Sequence, residues 1–254
     1  MPRFYNLAVS LPRFYVPEAR SGHKTVVLAA DEAHHLTHVL RLGPGADVSV
    51  FDGAGREWAG RVASVGKRAA TIALGDPVTP VPEPVVRVTL GMALVKNDQM
   101  DAVIRDATAL GVAAIAPLTS AHVTVPARAW KGEAARDRWQ RVAVAAAKQS
   151  RRAVVPEIAA VASFEAAIAA AGEATLLICV EPARAAAPWN GTHGQSPPPA
   201  SALVLVGPEG GWSEGEVALA ASHGAQMIAL GPRTLRAELA SAVALSALWS
   251  RWGW

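Results

Sequence analysis

Cysteine is nearly absent from this chain, with Cys179 the only one in 254 residues. A single thiol excludes an internal disulfide and any multi-cysteine metal site. Its place within Leu176-Leu177-Ile178-Cys179-Val180 reads as a small buried apolar residue rather than a catalytic nucleophile. Long apolar runs are missing as well, although 51% of the side chains are hydrophobic. The richest stretch, Ala237 to Trp249, is interrupted by Glu238, Ser241 and Ser246 and falls short of the roughly 20 residues that span a bilayer. No membrane partner is expected. Met1-Pro2-Arg3-Phe4-Tyr5-Asn6 lacks a basic stretch followed by an uninterrupted apolar segment, so no export signal is read and a cytoplasmic location is expected. Charge is sparse, at 18% of residues and a net of +3, which alone does not mark a nucleic-acid binder. What remains must bury a core, and the length favours two modest domains over one.

Asp76-Pro77-Val78-Thr79-Pro80-Val81-Pro82-Glu83-Pro84 holds four prolines in nine residues and reads as an extended connector. The predicted domains are therefore residues 1–76 and 77–254. In the first, Val26 to Ala30, Asp47 to Asp52, Glu57 to Ser64 and Arg68 to Leu74 read as short strands. Gly53-Ala54-Gly55 reads as a hairpin turn, and one helix is expected from His34 to Leu42. In the second, strand and helix alternate. The predicted strands are Val85 to Val95, Val112 to Leu118, Thr175 to Val180, Ala202 to Val206 and Gln226 to Leu230, with a helix from Asp98 to Leu110 stopped by Gly111. Short apolar strands of this kind suit a mostly parallel sheet covered on both faces. Gly191 to Ser201, with Pro197-Pro198-Pro199, reads as a surface loop.

The charge distribution says more than its total. Between Arg128 and Arg152 lie eight basic residues, Arg128, Lys131, Arg136, Arg138, Arg141, Lys148, Arg151 and Arg152, against Glu133 and Asp137 only. On a helix over about 134 to 150, Arg138, Arg141, Lys148 and Arg152 share one stripe while Trp139, Val142 and Ala146 face away. Such a stripe is either a solvated face or a contact for phosphates, because like charges held side by side are stabilised by a polyanion.

The stretch richest in chemistry is Ala202 to Val206 followed by Gly207-Pro208-Glu209-Gly210-Gly211-Trp212-Ser213-Glu214-Gly215-Glu216-Val217. A buried strand runs into a glycine-rich loop and then into a helix marked by a Ser213, Glu216 capping box. Ligands in open α/β sheets bind beyond the carboxyl ends of strands. This loop is no phosphate cradle: it lacks Gly-Lys-Ser/Thr, Pro208 has no N–H, and Glu209 repels anions. It also lacks the dinucleotide GxGxxG pattern. A cationic ligand with an adenine or ribose that bonds loop amides suits it, and a turn using glycine for conformation alone is the other reading. Leu230-Gly231-Pro232-Arg233-Thr234-Leu235-Arg236-Ala237-Glu238-Leu239-Ala240 then leads into an alanine-rich helix, and lies beside the first loop if the two strands are neighbours. His23, His34, His35 and His38 lack nearby cysteines, and no metal site is expected.

Together these two loops resemble the paired cofactor-binding signature of the ribosomal RNA small subunit methyltransferase E family, within the SPOUT superfamily of knotted methyltransferases. The likeness spans the chain. His35-Leu36-Thr37-His38-Val39-Leu40-Arg41-Leu42 is similar to the family's HLxxVLR segment in a PUA-like barrel. Lys96-Asn97-Asp98-Gln99-Met100-Asp101 with Ala107-Thr108-Ala109-Leu110-Gly111-Val112 is similar to its KxDRMD…KATELGV stretch. Gln149-Ser150-Arg151-Arg152 and Val155-Pro156-Glu157-Ile158 are similar to its EQSxR…VPEI stretch.

The resemblance implies an α/β fold in which a SPOUT-type parallel-sheet methyltransferase domain with a C-terminal trefoil knot follows a small PUA-like β-barrel that binds RNA. It also implies a homodimer. The implied activity is S-adenosylmethionine-dependent methylation of N3 of a uridine in 16S rRNA, in the decoding region of the small ribosomal subunit. Another RNA substrate, 23S rRNA or tRNA, and a catalytically impaired RNA-binding relative stay open. The cofactor-binding candidates are Gly207, Pro208, Glu209, Gly210, Gly211, Leu230, Gly231, Leu235 and Arg236. Candidate RNA contacts are Arg3, His35, Arg41, Arg138, Arg141, Lys148, Arg151 and Arg152. Since N3 of uridine carries a proton, a base is required. Arg236 is the candidate for holding substrate oxygens and stabilising developing negative charge, and Glu238 either orients Arg236 or caps the last helix. Ser241, Ala240, Ala244 and Ala247 suit close packing between subunits, as do Trp249, Trp252 and Trp254. The chain departs from the family pattern at Leu239, where Thr is usual, at Asp106, Ala109 and Ala145, and at Ala121-His122, where a Glu-Arg pair is common.

Overall fold

The computed structural model describes residues 11–66, 69–124, 133–185 and 197–253. Arg3, Arg128, Lys131, Gly191 and Trp254 lie outside the described residues. The chain divides into two compact units, one comprising Met1–Val81 with Ser150–Val154 and the other Pro82–Gln149 with Val155–Trp254.

In the first unit, the branched and aromatic residues of β1 (Arg13–Tyr15), β2 (Thr25–Val27), β3 (Asp47–Phe51), β4 (Glu57–Val65) and β5 (Ala70–Val78) build one open sheet in the order β1-β3-β4-β5-β2. β3 and β4 pair antiparallel around the Gly53-Ala54-Gly55 turn, and the inward set Phe14, Val48, Val50, Trp58 and Ile72 forms the core. β5 runs past the expected Leu74 to Val78. Pro77 is tolerated there because β2 pairs only with Thr71 to Ala73, leaving that edge open where the missing N–H falls. The helix expected from His34 to Leu42 starts earlier, as α1 (Ala30–His34), and passes into a π-helical turn over His35–Val39. Leu36 faces the core, and Arg41, a non-glycine residue at φ 54°, ends the turn.

Ser150–Val154 belongs to this unit through a buried polar network. Arg13 pairs with Glu57 at 2.8 Å, lies over the Phe51 ring, and donates to the Arg152 carbonyl at 3.2 Å. Gly55 N–H donates to Ala153 O at 3.1 Å.

The second unit is a wholly parallel sheet in the order β12-β10-β11-β6-β7-β8, with β9 also beside β7. Its strands are β6 (Arg87–Ala93), β7 (Ala114–Thr119), β8 (Glu157–Ile158), β9 (Ala162–Ser163), β10 (Thr175–Cys179), β11 (Ser201–Val206) and β12 (Gln226–Ile228). Helices α2 (Asn97–Ala109), α3 (Glu133–Ser150), α4 (Phe164–Ala169), α5 (Glu214–Ser222) and α6 (Ala237–Trp252) accompany it. Both faces are covered, which is why the strands are apolar throughout rather than alternating. β11 and β12 are not neighbours, because β10 lies between them. Among the described residues no helix is long and apolar enough to cross a membrane.

α6 corrects part of the dimer argument. Ala244, Ser241 and Trp249 are buried within the chain, and Trp249 Nε1 donates to Leu110 O at the end of α2 at 2.6 Å. Trp252 packs partly buried against the same core. Small side chains on α6 therefore serve close packing inside one protomer, because a helix lying against a sheet and a neighbouring helix needs that clearance.

Candidate active site

β10, β11 and β12 point their carboxyl ends the same way, and the segments that follow them line one cavity of about 280 Å³. The first wall is Cys179, Val180, Glu181 and Pro182, the second is Val206 to Glu209 with Gly211 and Trp212, and the third is Leu230, Arg233 to Ala237 and Ala240. The two loops predicted to converge do so by flanking the end of β10 rather than through paired strands. Of the predicted cofactor residues, Gly207, Pro208, Glu209, Gly211, Leu230, Leu235 and Arg236 line the cavity. Gly210 and Gly231 do not.

The loop after β11 is held from three sides. Beneath it, Trp212 is fully buried against Phe164 with ring centroids 4.8 Å apart, and its Nε1 donates to Cys179 O at 3.0 Å. Behind it, the capping box forms as the sequence suggests: Glu216 N–H donates to Ser213 Oγ at 3.2 Å and Ser213 N–H donates to Glu216 Oε2 at 2.8 Å. The other Glu216 oxygen accepts Ala121 N–H at 2.9 Å, tying down the segment after β7. Beside it, His122 Nδ1 lies 3.1 Å from Gly210 O and 3.2 Å from Gly211 O. Both are acceptors, so Nδ1 carries the proton. Ala121 and His122 thus hold the loop through one backbone N–H and one imidazole.

Gly211, not Gly210, is the glycine this turn requires. Its φ is +68°, and a Cβ there would lie 2.0 Å from Glu181 Oε1. A Cβ on Gly210 would instead meet His122 Cβ at 2.9 Å, away from the cavity. Glu181, Pro182, Thr234 and Ala240 were missed in the sequence. The signal for Glu181-Pro182 was present, because they follow a predicted parallel strand at its carboxyl end.

Arg236 is exposed, lines the cavity, and occupies the N-cap position of α6 with no capping side-chain bond. Glu238 makes no ion pair with Arg236 and does not line the cavity. Its place in the first turn of α6, with Oε2 buried and unpartnered, corrects the orienting role to that of an acid at the positive end of a helix. Burial pushes the Cys179 thiol up to about 12, so it is an inert wall. Among the described residues no group of three or more His, Cys, Asp or Glu side chains is placed to hold a metal ion.

The basic residues separate. Arg138 and Arg141 are exposed on α3, Arg138 pairing with Asp101 of α2, and Lys148 is half-buried. α3 stops at Ser150, and Arg151 turns the chain at φ 63°. Arg152 therefore leaves the stripe, and at 5% exposure it is buried in the N-terminal unit, which corrects its assignment as an RNA contact. In the N-terminal unit, Arg41 is exposed, whereas His35 is half-buried with its ring edge on Phe14, the centroids 6.4 Å apart.

Residues 81–249 match the RNA methyltransferase domain family, and residues 28–74 match the RNA methyltransferase PUA domain. The ribosomal RNA small subunit methyltransferase E of Synechocystis is 37% identical over 87% of this chain and 72% of its own. The chain belongs to the ribosomal RNA small subunit methyltransferase E family. A Neisseria gonorrhoeae member of this family, solved bound to S-adenosyl methionine, superposes with a TM-score of 0.84 at 33% identity over 94% of this chain and 97% of that one. A Legionella pneumophila putative methyltransferase solved with bound S-adenosylmethionine gives 0.86 at 27% identity, over 95% and 98%. Family membership accounts for a wholly parallel sheet that opens a cavity at three strand ends.

Proposed function

We propose that this protein methylates N3 of a uridine in the 16S rRNA of the small ribosomal subunit, using S-adenosylmethionine held at the ends of β10, β11 and β12. The observation that carries the reading is the convergence of Gly207–Gly211 and Leu230–Arg236 on one cavity in a chain of this family. The cavity chemistry fits the cofactor. Glu181 and Glu209 disfavour anions and suit a cation, Leu230 and Leu235 offer apolar walls for a base, and Glu181 Oε2 is a buried acceptor in want of a donor. When bound, S-adenosylmethionine supplies an electrophilic methyl group on a positively charged sulfur.

The chain's own work is to hold the uracil so that N3 faces that methyl and to manage the charge left when the N3 proton departs. Arg236, exposed at the cavity wall with no carboxylate partner among the described residues, holds an oxygen of the base and stabilises the negative charge that develops on it. Exposed Arg41, Arg138 and Arg141 contact phosphates, and Arg151 and Arg3, the latter outside the described residues, are further candidates. In this reading, the unit of Met1–Val81 with Ser150–Val154 binds RNA and the unit of Pro82–Gln149 with Val155–Trp254 carries out the transfer; the expected boundary at 76 moves because β5 continues to Val78. A trefoil-knotted C-terminal half belongs to the same reading. It rests on the family to which the chain belongs.

The test is mass mapping of rRNA from a strain lacking the protein, followed by addition of the purified enzyme. Loss of one methyl group from a 16S uridine, restored at N3 by the enzyme, is the expected result. A methyl group lost from 23S rRNA or tRNA instead would redirect the substrate and keep the chemistry.

A further inference from the structure

Glu181 sits where β10 ends, at the start of a tight turn over Pro182–Arg184 whose Arg184 N–H donates to Glu181 O at 2.9 Å. The sheet fixes this point, since Val180 N–H donates to Ile228 O at 3.0 Å beyond the last paired residues of β10 and β12. From there the carboxylate lines the cavity. Its Oε1 fills the space beside Gly211 that any side chain at that position would occupy. Its Oε2 is buried and accepts no hydrogen bond. Arg184 does not satisfy it: Nε stands 3.7 Å away, while Nη1 donates to Trp212 O at 2.9 Å. Arg184 thus fixes the carboxylate by charge and leaves an acceptor open.

A carboxylate oxygen removed from water without a donor destabilises the site, and in a ligand cavity the missing donor is supplied by the ligand. Anionic ligand groups are disfavoured by Glu181 and Glu209 together. Resting on the methyltransferase reading above, we propose that Glu181 is the acceptor for a hydrogen-bond donor of S-adenosylmethionine, and so a specificity-determining residue of the cofactor pocket. The cofactor carries such donors in three places, the ribose hydroxyls, the adenine amino group and the α-ammonium group. The sulfonium carries none, so the open oxygen does not read the transferable methyl. It holds what substrate and product forms share.

The experiment is isothermal titration of the full chain with S-adenosylhomocysteine and with 5′-methylthioadenosine, which keeps the ribose and lacks the amino-acid tail. Glu181→Gln, which keeps the size and removes the charge, is expected to weaken S-adenosylhomocysteine about 10- to 100-fold, the range of a hydrogen bond to a charged group. The melting temperature of the ligand-free protein is expected to stay put. Glu181→Asp keeps the charge with a shorter reach and is expected to recover some of the affinity. A loss shared by both ligands assigns the adenosine part, its ribose hydroxyls or adenine amino group, and a loss confined to S-adenosylhomocysteine assigns the ammonium. Unchanged affinity in Glu181→Gln, or a fall in affinity matched by a fall in ligand-free stability, would overturn the assignment and make Glu181 a brace for the loop. Wild-type protein that binds neither ligand would overturn the methyltransferase reading itself.

Discussion

Adjacent glycines in the Gly207–Gly211 loop carry different constraints, and substitution separates them. Gly211→Ala puts a side chain in the left-handed region, at about 1–2 kcal/mol, and drives its methyl into Glu181. Cofactor affinity is expected to fall at least about tenfold by titration, with the circular dichroism of the fold retained. Gly210→Ala pushes instead on His122 and is expected to lose less; equal losses would erase the distinction. At the opposite wall, Arg236→Ala is expected to lower methyl transfer far more than cofactor affinity, since the contact matters chiefly as charge develops. Arg236→Lys should rescue poorly, because a point charge does not reproduce a two-pronged contact. Equal falls in turnover and affinity would reduce Arg236 to a pocket wall. Cys179 predicts a null result with a pH signature. Its thiol stays protonated until about 12 in the folded chain against 9.0 for an ordinary thiol. Alkylation of the native protein should be negligible between roughly pH 8 and 10 and rapid once unfolded. The matching stability is present below the ordinary thiol pKa and is lost as pH rises through the folded one, so Cys179→Ala should flatten the alkaline limb of a stability curve.

Among the elements, α3 shows how a pattern of charge becomes a surface only up to the residue where the helix ends. Arg141→Ala is expected to reduce the slope of log affinity for rRNA against log salt by about one unit. Arg138→Ala should change it less, because Asp101 already neutralises some of that charge. Arg152→Ala should leave the slope alone and lower stability by about 1–3 kcal/mol, as loss of a buried polar group does. A salt slope that moves with Arg152 and not with Arg141 would reverse the assignment. The same element marks the limit of sequence reading. Periodicity located α2, α3, α5 and α6 within a few residues, because each has an apolar face or a capping signal, as at Ser213 and Glu216. It could not foresee that Arg151 would turn left-handed and send Arg152 into another unit, since that depends on Arg13 and Glu57 far along the chain. β1, β8 and β9, at three, two and two residues, are too short to leave a pattern and exist through their partners. In the site, both signature loops were legible as motifs. Gly210 was misplaced because adjacent glycines look alike until the backbone angle is known, and Glu181 has no motif of its own.

At the scale of the whole molecule, the homodimer that the family resemblance implies must use a surface that the protomer's own core leaves free. Trp249 and Ala244 are consumed inside the chain, so Ala244→Arg would unfold a protomer rather than separate a pair of folded ones. What α6 leaves outside begins with Leu239, which is 50% exposed at the N-terminal end of the helix. It follows Glu238 and precedes Ala240 of the cavity wall, so an interface there would lie next to the cofactor loops. A branched apolar side chain half in water gains on burial against a second copy, whereas the usual threonine of the family would gain less. Leu239→Arg is therefore expected to shift sedimentation from dimer toward monomer at micromolar concentration while leaving the thermal unfolding of the protomer nearly unchanged. Because Leu239 shares the first turn of α6 with Ala237 and Ala240 of the cavity wall, cofactor affinity should fall together with dimerisation and recover at high protein concentration. A wild-type chain that sediments as a monomer would remove the expected dimer, and a Leu239→Arg chain that stays dimeric would move the interface off this end of α6.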